Sequence, residues 1–266
     1  MTKIAILGAG GRMGMVLIRG AARCRDVTVV AAVERSGHAA VGRDAGAAAG
    51  GDATGIIITD DSAAAVAAAE VLIDFTFHAA VPENAALAAA SAKAMVIGTT
   101  GLDAQETRAV QEASRACPIV WSPNMSLGVN LLFTLVEQAA RALGMDYDIE
   151  IVETHHRLKK DAPSGTALRL GERAASGRGQ RLESVAAYGR VGITGERPRG
   201  QIGLHAVRAG DVIGDHTVLF ATEGEQVEIS HRATSREGFA MGALRAAAWV
   251  AGRKPGLYDM KDVLGL

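Results

Sequence analysis

The sequence predicts an α/β protein: a doubly wound parallel sheet, plus a smaller α+β region with a mixed sheet. Three observations carry this. Short apolar runs alternate with alanine-rich helical stretches through the first half, the pattern of strands joined by crossover helices. A glycine turn, Gly8-Ala9-Gly10-Gly11-Arg12-Met13-Gly14, closes the first run and opens the first helix. From Ser126 the texture changes to one long helix and several alternating runs.

The first strand is residues 4–7, and the helix after the glycine turn carries Val16, Leu17, Ile18 and Ala21. A strict G-x-G-x-x-G pattern fails because Met13 holds its third position; Gly8, Gly11 and Gly14 form G-x-x-G-x-x-G, with Gly10 supplementing the turn. Small residues there let the backbone approach a pyrophosphate at the helix N-terminus and let helix pack on strand. The second strand, Val27–Val33, ends at Glu34, 20 residues after Gly14. A Rossmann-like dinucleotide fold places a carboxylate there for the adenosine ribose hydroxyls. Arg35 follows and could face a 2′-phosphate instead, so both NADH and NADPH are expected as cofactors.

Residues 56–59, 71–76, 95–98 and Pro118–Trp121 continue as strands. Pro82 suits the first turn of one helix, and Asp103 with Glu106 makes a capping pair for another. In such sheets ligands bind beyond the carboxyl ends of the strands. Those ends are Gly8, Glu34, Thr76, the loop Gly98-Thr99-Thr100-Gly101, and the loop Ser122-Pro123-Asn124-Met125. The last two suit a nicotinamide amide or ribose; the alternative is plain polar turns.

In the second half one helix fits residues 129–143 and a strand fits residues 148–152. A Gly/Arg-rich loop spans residues 176–181. Three later runs, 201–207, 217–221 and 226–230, read as antiparallel strands whose alternation implies a sheet with one face covered by helices or a partner subunit. A capping box, Thr234-Ser235-Arg236-Glu237, opens a last helix through Met241, Leu244 and Trp249, which returns to the first domain. The expected division is 1–125 with 233–266, and 126–232.

The densest chemistry lies from Glu153 to Leu168. His155, His156, Arg157, Lys159 and Lys160 fall within six residues, and Ala162-Pro163-Ser164-Gly165-Thr166 then opens a helix. A helix start presents free N–H groups and the positive end of the helix dipole. With the cations it makes a pocket for an anionic small molecule with proton donors at hand; the plain alternative is a basic surface loop ending in a helix cap. His38, His78 and His205 read as structural, within helical or strand runs. His216 and His231 border turns and stay undecided.

Composition limits the alternatives. At 266 residues, with a net charge of −1, 21% charged and 4% aromatic residues, the chain has no strong electrostatic pull on nucleic acid or anionic membranes and few stacking platforms for bases. It is long enough to bury roughly 70–75% of its unfolded surface. Cys24 and Cys117 lack metal-ligand spacing and read as buried thiols in a reducing compartment; no metal is expected. Lys3 leads straight into the first strand without a signal-peptide pattern, and no apolar run nears the ~20 residues that span a bilayer. A cytoplasmic location is expected.

Together these residues resemble the dihydrodipicolinate reductase family, also named 4-hydroxy-tetrahydrodipicolinate reductase. The resemblance rests on residues 8–14, Asp74-Phe75-Thr76, Gly98 to Gly101, Asn124 with Gly128-Val129-Asn130, and Glu153 through Leu168. Ala209-Gly210-Asp211, His216-Thr217 and Ser230-His231 add to it. The stretch from His155 to Thr166 is the specific part; many dehydrogenases share the glycine loop. The resemblance implies a nucleotide-binding domain built from both chain ends and a central domain that binds substrate and forms a homotetramer. It implies that Gly8, Ala9, Gly10, Gly11, Arg12 and Met13 hold the pyrophosphate, and Glu34 or Arg35 the adenosine ribose. Gly98, Thr99, Thr100, Ser122, Pro123, Asn124 and Met125 would flank the nicotinamide. His155 and Lys159 match the catalytic pair, and His156, Ser164, Gly165 and Thr166 the substrate-carboxylate ligands. Leu158, Lys160 and Thr222 depart from the family's usual residues without touching a catalytic atom.

The implied substrate is a cyclic imine or conjugated enamine dicarboxylate, taking hydride from NAD(P)H and a proton from Lys159, with His155 assisting or setting the lysine's protonation. Among rivals, sugar and inositol dehydrogenases carry a Glu-Lys-Pro where this chain has Gly98 to Gly101. A semialdehyde dehydrogenase needs a cysteine nucleophile that neither Cys24 nor Cys117 supplies. A redox sensor leaves the His155/Lys159 cluster without a use.

Overall fold

The computed structural model describes residues 1–266. In chain order the elements begin β1 (Thr2–Leu7), α1 (Arg12–Ala21), β2 (Val27–Val33), α2 (Ala45–Ala48), β3 (Ile58–Thr59), α3 (Ser62–Ala68) and β4 (Val71–Asp74). Next come α4 (Val81–Ala90), β5 (Ala94–Ile97), α5 (Ala104–Ala113), β6 (Pro118–Trp121), α6 (Leu127–Leu143), β7 (Asp148–His155), α7 (Gly165–Gly177) and α8 (Leu182–Val185). The chain ends with β8 (Ala186–Tyr188), β9 (Ile202–Arg208), β10 (Gly214–Thr222), β11 (Glu225–Ala233), α9 (Glu237–Val250), β12 (Gly256–Tyr258) and α10 (Met260–Leu264). It divides into two compact units, residues 1–127 with 236–266, and residues 128–235. No helix is long and apolar enough to cross a membrane.

The first unit holds a seven-stranded sheet in the order β12-β6-β5-β4-β1-β2-β3, all pairs parallel. β1 shows why its strands read as continuous apolar runs. Ile4 and Ile6 enter one core with Leu17 of α1 and Leu244 of α9, while Ala5 and Leu7 enter another with Val66, Val81 and Val110 of α3, α4 and α5. Both faces are covered, so no polar alternation survives. The Asp103–Glu106 capping box forms at the start of α5, and Pro82 lies in the first turn of α4.

Some expectations fail here. Residues 56–59 shrink to β3, because Ile57 bridges Asp44 outside the ladder. The capping box over residues 234–237 does not form; Arg236 is the N-cap of α9 without a side-chain cap bond. Residues 256–264, unassigned from sequence, add β12 beside β6 and a short helix opened by an Asp259–Asp262 capping box. Cys117 is fully buried and burial pushes its thiol up to about 11, but Cys24, at the turn after α1, is only half-buried. His38 sits in a turn rather than a helix.

The second unit holds a five-stranded mixed sheet in the order β11-β10-β7-β9-β8. β10 runs antiparallel to β7 and β11, but β9 runs parallel to β7 and β8. The expected antiparallel β9 is therefore corrected. Because β9 and β10 flank β7 on opposite sides, the turn at residues 211–215 closes no hairpin, and β9 is reached from β7 through α7 and α8, a crossover connection. The loop expected from residue 176 begins later, since α7 runs to Gly177. α6 and α7 cover one face of the sheet: Phe133, Val136, Leu170 and Ala174 pack with Ile149, Ile151, Val218 and Phe220. On the other face Val152 and Val207 stay 39% and 42% exposed.

Candidate active site

Two clefts open at the carboxyl ends of the first unit's strands. One, of about 510 Å³, is lined by Arg12, Met13, Gly98, Thr99, Thr100, Pro123, Asn124 and Met125, with Phe75–Phe77, His78, Arg236 and Phe239. The other, of about 610 Å³, is lined by Gly8, Gly11, Glu34, Arg35, Ser36, His38 and Asp60, and shares Phe75, Thr76 and Phe77 with the first. Paired clefts with a common wall, meeting at the glycine turn, suit a ligand with two bulky ends and a phosphate bridge. The turn fits that bridge. α1 begins at Gly11 with no side-chain cap, so the amides of its first turn lack intrahelical partners. Gly8 has φ +79°, and a Cβ on Gly14 would lie 2.2 Å from the Gly8 carbonyl oxygen. Only glycine permits that close approach of helix and turn.

The structure also separates the predicted ligands. The Gly8 and Ala9 amides both donate to the Val33 carbonyl, and the Gly10 amide donates to Glu34 Oε1 at 3.1 Å. Those three amides, and that of Gly11, which donates to the Gly8 carbonyl at 3.1 Å, are engaged within the fold, whereas Arg12 and Met13 stand at the helix start and line the first cleft. Ala9, Gly10 and Ser122 line neither cleft; the Ser122 hydroxyl instead donates to the Asn124 carbonyl at 2.8 Å and shapes its loop. Beneath the clefts, fully buried Asp74 accepts from the Thr76 amide and hydroxyl, from the Thr99 hydroxyl and from Asn84. His78 pairs with Glu106 at 2.8 Å yet also lines a cleft, as does His38.

In the second unit the pairing of three strands assembles one cluster. Along β7, Ile149, Ile151, Glu153 and His155 share the buried face, as period-two alternation requires. The antiparallel register sets His216 of β10 opposite Glu153, and the parallel register sets Arg208 of β9 beside His155. Glu153, fully buried, accepts from His155 Nδ1 at 2.5 Å, from Arg208 at 2.8 and 2.9 Å, and from the Ser164 amide at 3.0 Å. Burial works to raise its pKa, but Arg208, His155 and Ser164 outweigh it and hold the carboxyl below its usual range. The His155 and His216 rings meet edge-on at 5.2 Å. Burial, with help from His155, pushes His216 down to about 4.

The loop after β7 carries the cations. Lys159 Nζ lies 2.9 Å from Asp161, which the lysine holds below the usual carboxylate range. His156 has its Nδ1 buried with no partner. Ser164 caps α7 by accepting from the Ala167 amide and bonds His216 Nε2 at 3.1 Å; Gly165 and Thr166 follow as the first helical residues. Thus His155, His156, Lys159, Ser164, Gly165 and Thr166 occupy one neighbourhood of β7, its loop and α7. Sequence reasoning gave Glu153 and Arg208 no role and left His216 open, though His216 and His231 lie inside strands rather than at turns. The missed signal was a carboxylate at the place in β7 where alternation calls for an apolar residue.

Comparison with known proteins bears on both the clefts of the first unit and the cluster of the second. The family model described as dihydrodipicolinate reductase, N-terminus, matches residues 2–125, and that described as dihydrodipicolinate reductase, C-terminus, matches residues 128–264. The 4-hydroxy-tetrahydrodipicolinate reductase of Anaeromyxobacter dehalogenans is 55% identical over 100% of this chain and 98% of its own length. That of Hahella chejuensis is 52% identical over 100% of both. A solved dipicolinate-bound dihydrodipicolinate reductase from Paenisporosarcina sp. TG-14 shares the fold, with a TM-score of 0.78 at 21% identity over 98% of this chain and 99% of that one. With both halves matched by their own models and full-length identity above one half, the chain belongs to the dihydrodipicolinate reductase family.

Proposed function

We propose that the chain reduces dehydrated 4-hydroxy-2,3,4,5-tetrahydrodipicolinate to tetrahydrodipicolinate with NAD(P)H, in the diaminopimelate route to lysine. The observation that carries this reading is the cluster of His155, His156 and Lys159 beside the N-terminus of α7, in a chain of this family. When bound in the clefts of the first unit, the reduced nicotinamide supplies the hydride equivalent. Everything else falls to the chain's own groups. The Lys159 ammonium donates a proton at the position conjugate to the carbon reduced, and Asp161 holds that ammonium in place. The Gly165 and Thr166 amides, at the positive end of α7, bind one carboxylate. The unpartnered Nδ1 of His156 supports a second carboxylate contact. Arg12 and Met13 meet the pyrophosphate, and Glu34 with Arg35 the adenosine ribose.

Each charge-assisted bond to a carboxylate contributes roughly 1.5–3 kcal/mol. His156→Ala is therefore expected to raise the substrate KM about tenfold or more while kcat changes little; a KM equal to wild type would remove His156 from the binding set.

The reading is tested by loss of nicotinamide absorbance with the fresh condensation product of pyruvate and aspartate semialdehyde. Turnover with both NADPH and NADH is expected, because Glu34 and Arg35 line the same cleft. A ratio of their Michaelis constants above about a hundredfold, some 2.7 kcal/mol of discrimination, would exclude dual use. No consumption while cofactor still binds by fluorescence would refute the reaction.

The half-exposed Val152 and Val207 on the open face of the five-stranded sheet support burial of that face against further copies of the chain, in a homotetramer. A monomer in sedimentation velocity at micromolar concentration would rule this out. The reaction and the two reduced thiols are in keeping with the cytoplasm; recovery in an oxidising compartment by cell fractionation would count against it.

A further inference from the structure

We propose that Glu153 is a positioning residue that sets the His155 ring, the Lys159 loop and the carboxylate-binding end of α7 together. The inference rests on the roles assigned above to those three groups. Glu153 is fully buried, and its two oxygens meet four donors. Oε2 accepts from His155 Nδ1 at 2.5 Å and Arg208 Nη1 at 2.8 Å; Oε1 accepts from Arg208 Nη2 at 2.9 Å and the Ser164 amide at 3.0 Å. A buried carboxylate so filled cannot release one contact without stranding a polar group.

Each contact has a consequence at a functional atom. A carboxylate only accepts, so the proton of the His155 contact sits on Nδ1 and Nε2 is the nitrogen left to act. On the far side, a Cβ on Gly214 would lie 3.0 Å from that Nε2, so the ring is held between Glu153 and the β10 backbone. Arg208 carries the constraint onward. The same Nη2 donates to the Asp161 carbonyl at 2.6 Å, and the Asp161 carboxylate takes Lys159 Nζ at 2.9 Å. The Ser164 amide ties down the residue that caps α7, whose hydroxyl is held in turn by the Ala167 amide and His216. One carboxylate thereby joins β7, the start of α7 and the distant strand β9, and none of its contacts is to solvent.

The test is Glu153→Gln in the full-length chain, which keeps the side chain's shape but not its acceptor pair. Ligand-free spectra of ¹⁵N-histidine-labelled protein, assigned by comparison with His155→Asn, are expected to lose the Nδ1–H tautomer signal of His155. In the same folded variant kcat is expected to fall by about tenfold to a hundredfold and dipicolinate to bind more weakly, with the NADH Kd from fluorescence unchanged. A buried residue of merely structural importance would lower stability without that split or that spectral change. Arg208→Lys, which keeps a cation on Glu153 but cannot also reach the Asp161 carbonyl, is expected to retain the His155 signal and still lose kcat. A folded Glu153→Gln with the His155 signal in place, or with wild-type turnover and dipicolinate affinity, would overturn the proposal. Should Glu153→Gln not fold, wild-type kcat in Arg208→Lys overturns it. If Lys159→Ala itself retains turnover, the functional reading fails instead, and the ligand-free histidine spectrum alone decides for or against Glu153.

Discussion

Lys159→Ala is expected to lower kcat by about 10²–10⁴-fold, the contribution of a positioned acid, while the Kd for NAD(P)H stays at its wild-type value. The cofactor is unaffected because the clefts that suit it are lined entirely by residues of the first unit. Unfolding does not explain such a loss. The Lys159–Asp161 pair has side chains 20% and 62% exposed, and pairs of that kind contribute about 0–1 kcal/mol. Turnover of the pyruvate–aspartate semialdehyde condensation product, followed at the nicotinamide band, measures kcat; fluorescence titration measures cofactor binding. A variant that keeps more than about a tenth of wild-type kcat, a barrier change under 1.4 kcal/mol, removes Lys159 as the proton donor.

Acid is expected to destabilise the protein in two adjoining windows, the first belonging to His216. Burial, then the neighbouring His155, holds His216 at about 4, against the opposing pull of Glu153 and with smaller pushes from His231 and Lys159. Because the folded value lies below the ordinary 6.5, the unfolded chain takes up its proton first as the pH falls. Stability from this group is complete above about pH 6.5 and declines down to about pH 4, by on the order of 3 kcal/mol at 1.36 kcal/mol per pH unit. Glu153 follows. Its folded pKa is depressed, so its contribution is present above the ordinary 4.5 and is lost as the pH falls through the folded value. Urea unfolding of wild type and His216→Asn between pH 7 and pH 4 separates the two. The variant's stability should fall less steeply between about pH 6.5 and 4. Parallel curves would show that His216 is not the group responsible.

The parallel sheet was legible because its inner strands are buried on both faces. Residues 27–33, apolar but for Thr28, and residues 118–121 are runs with clear ends, and those ends coincide with β2 and β6. The glycine turn was legible for a similar reason, since Gly14 has no alternative at 2.2 Å from a carbonyl. Edges were not. β3 and β12 are two and three residues long, and such pieces are strands only because a neighbour is there to pair with them. The sign of β9's pairing was likewise invisible. Alternation reports which face of a strand is buried, but the same residues alternate in parallel and antiparallel ladders.

The candidate site divides along the same line. Local sequence determined the loop chemistry: His155, His156 and Lys159 lie on a strand end and the loop after it, and Ser164-Gly165-Thr166 opens a helix, all within twelve residues of chain. It also determined Asp103 and Glu106 as a cap, since a capping box needs only four consecutive residues. Only the tertiary structure decided what holds the loop. Arg208 and His216 lie on strands far along the chain, and they reach Glu153 and His155 because β9 and β10 settle on either side of β7 in one register. A slip of one residue would turn each of these side chains to the opposite face. The reactive groups were thus written in the sequence as neighbours, whereas the buried carboxylate and arginine that aim them became neighbours only when three strands paired.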